Sequence, residues 1–540
     1  MKFYIIRRGE KMDKQLTYEL WINNVNEDER KAIQNYDEME KQDAFGSELE
    51  FGTAGIRGIM GLGPNRLNQY TIARVTEAVA ISYEKPNCKF AISFDTRENS
   101  RSFAWLAARI LARHGISVIL ADSMPTPYLS FMVRYFHCDG GIMITASHNP
   151  KEYNGYKVYD STGCQILPEV ARKITDTINS LPIFDVVIPD QNTPLPDSVT
   201  PVSPDCTAAF YSAIEKYSCE KISDITVLYS ALNGTGINLI PTLLSAHNIR
   251  VELNSIQCLP DPNFTTCPSP NPEKAEVCAQ NHDLARKVNA DLILCSDPDS
   301  DRLGVDVAHQ GKFVHLTGNE IGVLLSYHLL SNGKTGYIMR SIVSTPLVDK
   351  LAEHYGAQMK LCLTGFKYIG EFLNELSKEN RTQEFLFGFE ESSGYLAGDY
   401  IREKDATIAS LLICELASIC KKANLTLVDK LNEIYSQFGK YTHKVISLKL
   451  KPTQKSKEIM QKLRKIMPQN NAITQIVDYS TSQHGLPPAD MLEFNIDGVN
   501  VFLRPSGTEP LIKAYLTVID SDENTLKKAT DTLTNILNNI

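Results

Sequence analysis

Three things are missing from this 540-residue sequence, and each absence removes a class of protein. No stretch approaches the roughly 18 consecutive apolar residues of a membrane-spanning helix, so no membrane partner is expected. The twelve cysteines show no CxxC pair and no regular spacing. In a chain of this size that pattern fits reduced thiols in the cytoplasm. An excess of positive charge is also lacking. The net charge of −9 argues against nucleic acid as a partner. An anionic ligand would have to be drawn by local basic groups. The start, MKFYIIRRGEKMDK, has only four apolar residues before two arginines, too few for the core of a signal peptide. Met12 is a candidate for an alternative start. There is no low-complexity segment and no clear repeat.

What is present is the composition of an ordinary globular protein, 43% hydrophobic and 22% charged. The length calls for roughly three to five domains. Buried strands are predicted at KFAISFD (89–95), ISVILAD (116–122) and GGIMITAS (140–147). Between the first two, SRSFAWLAARILARHG (100–115) has helical spacing and a glycine stop. Strand, helix, strand in this order implies βαβ units. The Pro-rich stretch 182–205 reads as a linker or surface connection. The α/β pattern then resumes at 222–236, 290–297, 335–345 and 384–391. From about Tyr435 the pattern changes to alternating strands, 443–451 and 499–506, and a last helix from about Glu523.

Four polar clusters stand at predicted strand ends: TASHNP, DPDSDR, GFEESSGY and RPSGTEP. Ligands of open α/β sheets bind outside the carboxyl ends of strands. In DPDSDR, Asp297, Asp299 and Asp301 alternate, so three carboxylates can converge. Oxygen-only ligands suit Mg²⁺ or Ca²⁺. An EF-hand is excluded, because its sixth position is Arg302 and its twelfth Ala308. In RPSGTEP, Arg504, Ser506 and Thr508 surround Gly507, a set suited to phosphate. Glu390 and Glu391, with Ser392 and Ser393, suit the hydroxyls of a polyol, or form a solvated acidic turn. Ser147 in TASHNP can be a turn residue, a nucleophile or a carrier of a group. The neighbours do not match G-x-S-x-G, so acyl transfer is weakly supported. A hydroxyl beside a metal loop and a phosphate loop suggests phosphoryl transfer.

In this order the four loops resemble those of the α-D-phosphohexomutase superfamily, the phosphoglucomutases and phosphomannomutases. FGTAGIRG (51–58), YNGYKVY (153–159), TGFKYIG (364–370) and REKDA (402–406) extend the likeness over nearly the whole chain. The resemblance implies an α/β fold of four domains around a central cleft, three related α/β domains with mixed sheets and a smaller α+β domain at the C-terminus. The corresponding segments are 1–205 with the serine loop, 206–315 with the metal loop, 316–434 with the sugar loop and 435–540 with the phosphate loop. It implies that Ser147 is a phosphoserine and that Asp297, Asp299 and Asp301 hold Mg²⁺ with its oxygen. Lys157, His148, Arg57 and Lys404 would lie near the reacting groups, and Arg302 near the phosphoryl group. Thr364, Gly365, Glu390, Glu391 and Ser392 would contact the sugar. Arg504, Ser506, Gly507 and Thr508 would hold the phosphate that does not react.

The implied reaction is a Mg²⁺-dependent interconversion of glucose 1-phosphate and glucose 6-phosphate, primed by glucose 1,6-bisphosphate. The proton acceptor would be Lys157, Lys404 or His148. Plainer readings stand beside these: His148 bonded to loop backbone, Lys404 in an exposed charge run, Arg57 pairing structurally. FGTAGIRG and FEESSGY are most similar to the branch containing phosphoglucomutase 2 and phosphopentomutase types. Phosphopentomutase is therefore the first alternative and phosphomannomutase the second. A non-catalytic sugar-phosphate-binding protein and a serine hydrolase are the readings from other classes. The expected partners are small sugar phosphates, with the chain a monomer or weak dimer.

Overall fold

The computed structural model describes residues 13–52, 55–450, 455–470, 472–505, 511–520 and 523–538. They fall into two compact units. The first comprises the described residues of 1–218 with 224–306 and 399–411; the second comprises those of 219–223, 307–398 and 412–540. Among the described residues no helix is long and apolar enough to cross a membrane.

The first unit contains a mixed six-stranded sheet. Its order is Gly55–Ile59, Tyr153–Asp160, Gly140–Ile144, Lys89–Phe94, Ser117–Leu120, Val199–Pro201. The first two junctions are antiparallel and the last three parallel. Gly140–Ile144 is buried at every position, as an apolar run at a sheet centre requires. Helix Ser100–Arg113 buries Phe103, Leu106, Ala107, Ile110 and Leu111, a stripe of helical period facing the sheet core. It stops at Gly115, whose φ of +72° only glycine adopts without strain. A second, parallel ladder in this unit joins Arg250–Leu253, Thr226–Ser230 and Leu292–Ser296.

The Pro-rich connection departs from the linker reading. Residues 182–198 are irregular, but Val199–Pro201 pairs with Ser117–Leu120 as an edge strand. Val118 N–H donates to Ser198 O at 2.8 Å, and Val202 N–H to Leu120 O at 3.0 Å. Proline is tolerated there because an edge strand leaves one side without ladder bonds.

The second unit holds Gln358–Cys362, Tyr337–Ser341 and Phe385–Glu390 in parallel, with Gly394–Ala397 antiparallel at the end. Its other sheet, near the C-terminus, is antiparallel throughout. The order is Tyr441–Lys449, Leu511–Ile519, Val499–Pro505, Leu492–Ile496, Ile473–Asp478. Helices Ser456–Ile466 and Glu523–Asn538 cover it through Ile459, Leu463, Leu526 and Leu533. The α/β sheets thus deliver Ser147, Asp297 and Glu390 at or just beyond the carboxyl ends of Gly140–Ile144, Leu292–Ser296 and Phe385–Glu390.

Candidate active site

Ser147 follows the strand Gly140–Ile144 in a left-handed conformation, φ +53°, which non-glycine residues adopt only when held. Its N–H donates to Thr145 Oγ1 at 2.8 Å, and that hydroxyl donates to Asp95 Oδ2 at 2.7 Å. Asp95 also accepts from Arg97 Nε at 3.1 Å. The two terminal nitrogens of Arg97 then donate to four carbonyls of the loop. Ser147 O and Asn149 O lie at 2.5 Å, Pro150 O at 2.8 Å and Tyr153 O at 3.1 Å. Both charged side chains are wholly buried. One guanidinium therefore sets the shape of the serine loop.

The hydroxyl of Ser147 donates to Asp297 Oδ2 at 2.8 Å and lies 3.3 Å from His148 Nδ1. Asp297 begins the loop after Leu292–Ser296. Its Oδ1 accepts from the N–H groups of Asp301 (3.0 Å) and Arg302 (2.9 Å), which folds DPDSDR back on itself. Gly234 presses against this loop: a Cβ there would lie 2.3 Å from Pro298 Cα. Asp299 Oδ2 accepts from Lys157 Nζ and from Thr126 Oγ1, both at 2.8 Å. Lys404 Nζ lies 2.8 Å from Asp301 Oδ2 and 3.2 Å from Glu403 Oε1. Arg57 donates to Asn149 Oδ1 at 3.0 Å, and Arg302 pairs with Glu273.

Asp297, Asp299 and Asp301 each bring one oxygen within 4.8 Å of the others, and all three are buried. Burial first, then the charges of Asp301 and Asp299, push Asp297 well above the ordinary carboxylate range. Burial would raise Asp299 too, but the Lys157 ammonium and its hydrogen bond hold it below. Asp299 Oδ1 and Asp301 Oδ1 are buried with no hydrogen-bond partner. Buried carboxylate oxygens left open in a group of three fit a hard divalent cation. The donor set is oxygen alone, which disfavours zinc.

The second unit brings together a different set. Glu390 ends its strand and accepts from Gly365 N–H at 2.7 Å. Glu391 Oε2 accepts from Ser341 Oγ at 2.9 Å and Ser344 Oγ at 3.3 Å, while its N–H donates to Ser344 Oγ at 2.9 Å. Thr364 and Ser392 are half-buried beside them in sequence. Arg504, the penultimate residue of Val499–Pro505, donates through Nη2 to Tyr515 OH at 3.1 Å, and its buried Nε has no partner. Ser506, Gly507 and Thr508 lie outside the described residues.

The sequence matches the phosphoglucomutase/phosphomannomutase family in its alpha/beta/alpha domain I at 48–182, domain II at 208–311 and domain III at 317–438. The chain belongs to this family. A phosphoglucomutase of Staphylococcus aureus (strain bovine RF122 / ET3-1) is 37% identical over 533 residues, 93% of this chain and 95% of the relative. One from Staphylococcus haemolyticus is 38% identical over 508 residues, 88% of this chain and 92% of its own. Among solved structures, a phosphoglucomutase/phosphomannomutase family protein of Burkholderia thailandensis aligns with TM-score 0.69 at 17% identity, covering 89% of this chain and 97% of that one. Pp63/parafusin, a phosphoglucomutase from Paramecium, aligns in its open form with TM-score 0.66 at 19% identity, covering 90% and 94%. Both structural likenesses speak to the fold.

In this member of the phosphoglucomutase/phosphomannomutase family, sequence reasoning missed Asp95, Arg97, Thr126 and Glu403. Asp95 and Arg97 follow Lys89–Phe94, the strand beside Gly140–Ile144. A charged pair at the end of a strand paired to the serine strand is the signal that could have found them.

Proposed function

We propose that the protein interconverts glucose 1-phosphate and glucose 6-phosphate through a phosphorylated Ser147. The observation that carries this reading is the Ser147 hydroxyl donated at 2.8 Å to one of three clustered buried aspartates. Family membership and the phosphoglucomutase relatives support it. Asp297, Asp299 and Asp301 would hold the divalent cation, Mg²⁺ by donor type. When bound, it would offset the charge of the transferring group. Arg97 fixes the loop so that Ser147 Oγ is presented in one orientation. Lys157 and Lys404 bring positive charge to the same cluster. Arg504, with its open Nε, suits a phosphate, and Glu390 and Glu391 suit sugar hydroxyls.

On this reading a sugar hydroxyl attacks phosphorus as the bond to Ser147 Oγ breaks. The hydroxyl proton passes to Lys157, Lys404 or His148, and glucose 1,6-bisphosphate results. Its other phosphate is then returned to Ser147, which restores the enzyme and frees the isomer. The free cysteines, eleven of twelve buried, agree with a reducing cytoplasmic setting. The deciding experiment is a parallel rate assay with glucose 1-phosphate, ribose 1-phosphate and mannose 1-phosphate. Each contains Mg²⁺ and a trace of the matching bisphosphate, with Ser147→Ala as control. Glucose preference lost in the control is the expected result. A ribose preference would replace the substrate while keeping the chemistry. Activity surviving in Ser147→Ala would overturn the mechanism. Chelation of divalent cations should stop turnover, and added Mg²⁺ should restore it.

A further inference from the structure

In the second unit Arg340 is a buried charge that the proposed chemistry does not use. It is the penultimate residue of strand Tyr337–Ser341 and is 4% exposed. Its Nε donates to Asp349 Oδ1 at 2.7 Å and its Nη2 to Asp349 Oδ2 at 2.6 Å. This two-point pairing with helix Leu347–Tyr355 fixes the plane of the fork. Nη1 is left for the loop after the strand, donating to Ser344 O at 3.0 Å, Ser341 O at 3.2 Å and Ile342 O at 3.5 Å. Ser344 N–H also donates to Ser341 O at 3.0 Å, so residues 341–344 close into a turn.

That turn sets two buried hydroxyls side by side, Ser341 Oγ and Ser344 Oγ, 2.7 Å apart. With Glu391 they close a ring of hydrogen bonds. Glu391 N–H donates to Ser344 Oγ at 2.9 Å. The Ser344 hydroxyl lies nearer Ser341 Oγ than Glu391 Oε2, which is 3.3 Å away, and Ser341 Oγ donates to Oε2 at 2.9 Å. Each hydroxyl can thus donate once and accept once. Gly318 presses on the same residue's backbone, since a Cβ there would lie 2.2 Å from Glu391 O. Glu391 Oε2 is therefore tied, while Oε1 has no hydrogen bond among the described residues. A carboxylate with one oxygen fixed can read the position of one ligand hydroxyl, because its orientation is set before the ligand arrives.

We propose that Arg340 is a positioning residue for sugar recognition, acting through Ser341 and Ser344 to hold Glu391 so that Oε1 accepts from one sugar hydroxyl. Its own donors are spent on Asp349 and the loop carbonyls, so it acts on the ligand only through that carboxylate. The inference rests on the proposed function.

The test is a mutant cycle on the full chain, with Mg²⁺, a trace of the matching bisphosphate, and whichever 1-phosphate of glucose, ribose or mannose the wild type turns over fastest. Glu391→Gln, Arg340→Lys and the double variant are compared by kcat and KM. Arg340→Lys keeps the charge but cannot hold Asp349 and the turn at once. It should lower kcat/KM by about ten- to a hundredfold, mostly through KM. The double variant should lose little more than Glu391→Gln loses alone, since both changes act on one carboxylate. Ser341→Ala, alone and with Glu391→Gln, removes one hydroxyl from the ring and should behave in the same way; it stands in should Arg340→Lys unfold. Losses that multiply in the double variant overturn the proposal, as does an Arg340→Lys enzyme equal to the wild type. A wild type inert on all three sugars overturns the proposed function and this inference with it.

Discussion

Around Ser147 nearly every polar group that shapes the loop already has a buried partner. Around Arg504 and Glu391 the side chains are half-buried, and Arg504 keeps a donor open. The serine loop hangs on one guanidinium, itself fixed by Asp95. The atoms left open in the first region are carboxylate oxygens of Asp299 and Asp301, where a cation fits. On the proposed function, the difference follows from what each region would do. Phosphoryl transfer depends on placing a nucleophile to within a fraction of an ångström, so its frame is built before any ligand arrives. Recognition of a sugar phosphate would need groups that the ligand itself completes; here Arg504 Nε is open, while Glu390 and Glu391 already accept from Gly365, Ser341 and Ser344.

Substitutions can break that comparison. The largest effect is expected for Ser147→Ala, with turnover falling by more than about 10⁴-fold and the melting temperature almost unchanged. A coupled assay and a thermal melt together check this. Next comes Arg97→Lys, which keeps the charge but cannot reach four carbonyls from one fork. It should lower kcat by about 10²-fold with little change in KM, because positioning is lost rather than binding. An equal rise in KM would show that the loop is not pre-set. Arg504→Ala should give the opposite split, a KM raised about ten- to a hundredfold and kcat altered much less.

The smallest effect concerns pH. Asp405 is fully buried, accepting from Thr407 N–H at 2.7 Å and Tyr400 OH at 2.6 Å, and burial pushes its pKa up to about 6. The folded state thus keeps a proton that the unfolded chain releases near the ordinary value. Stability contributed by this group is full below that value and declines as pH rises to about 6. A shift of about two pH units corresponds to on the order of 3 kcal/mol. Asp405→Asn should remove this decline, so its melting temperature should exceed the wild type's at pH 7 and converge with it near pH 4. Parallel melting curves of the two proteins across that range are the check.

The sequence made strands and helices legible where burial imposes a period. GGIMI and the stripe of helix Ser100–Arg113 are clear because their partners are apolar whatever the topology. The triple aspartate and the serine stood out because close like charges and an isolated strand-end hydroxyl are rarely decorative. The frame behind them did not stand out. Thr145, Asp95 and Arg97 act through contacts 50 residues apart in the chain, and no local pattern records such a distance. Lys404 shows the same limit. REKDA reads equally well as a solvated charge run, since sequence displays charge but not burial; in the structure Lys404 is 8% exposed and faces Asp301.

The three-residue strand Val199–Pro201 carries a consequence for handling the protein. It caps the outer row of N–H and C=O groups of Ser117–Leu120, and its own proline ends the ladder. A nick by protease in the exposed stretch before it would free this short cap at little thermodynamic cost. The uncapped strand would then be a template for pairing with another chain, so limited digestion there should yield sticky, self-associating material before it yields separate fragments.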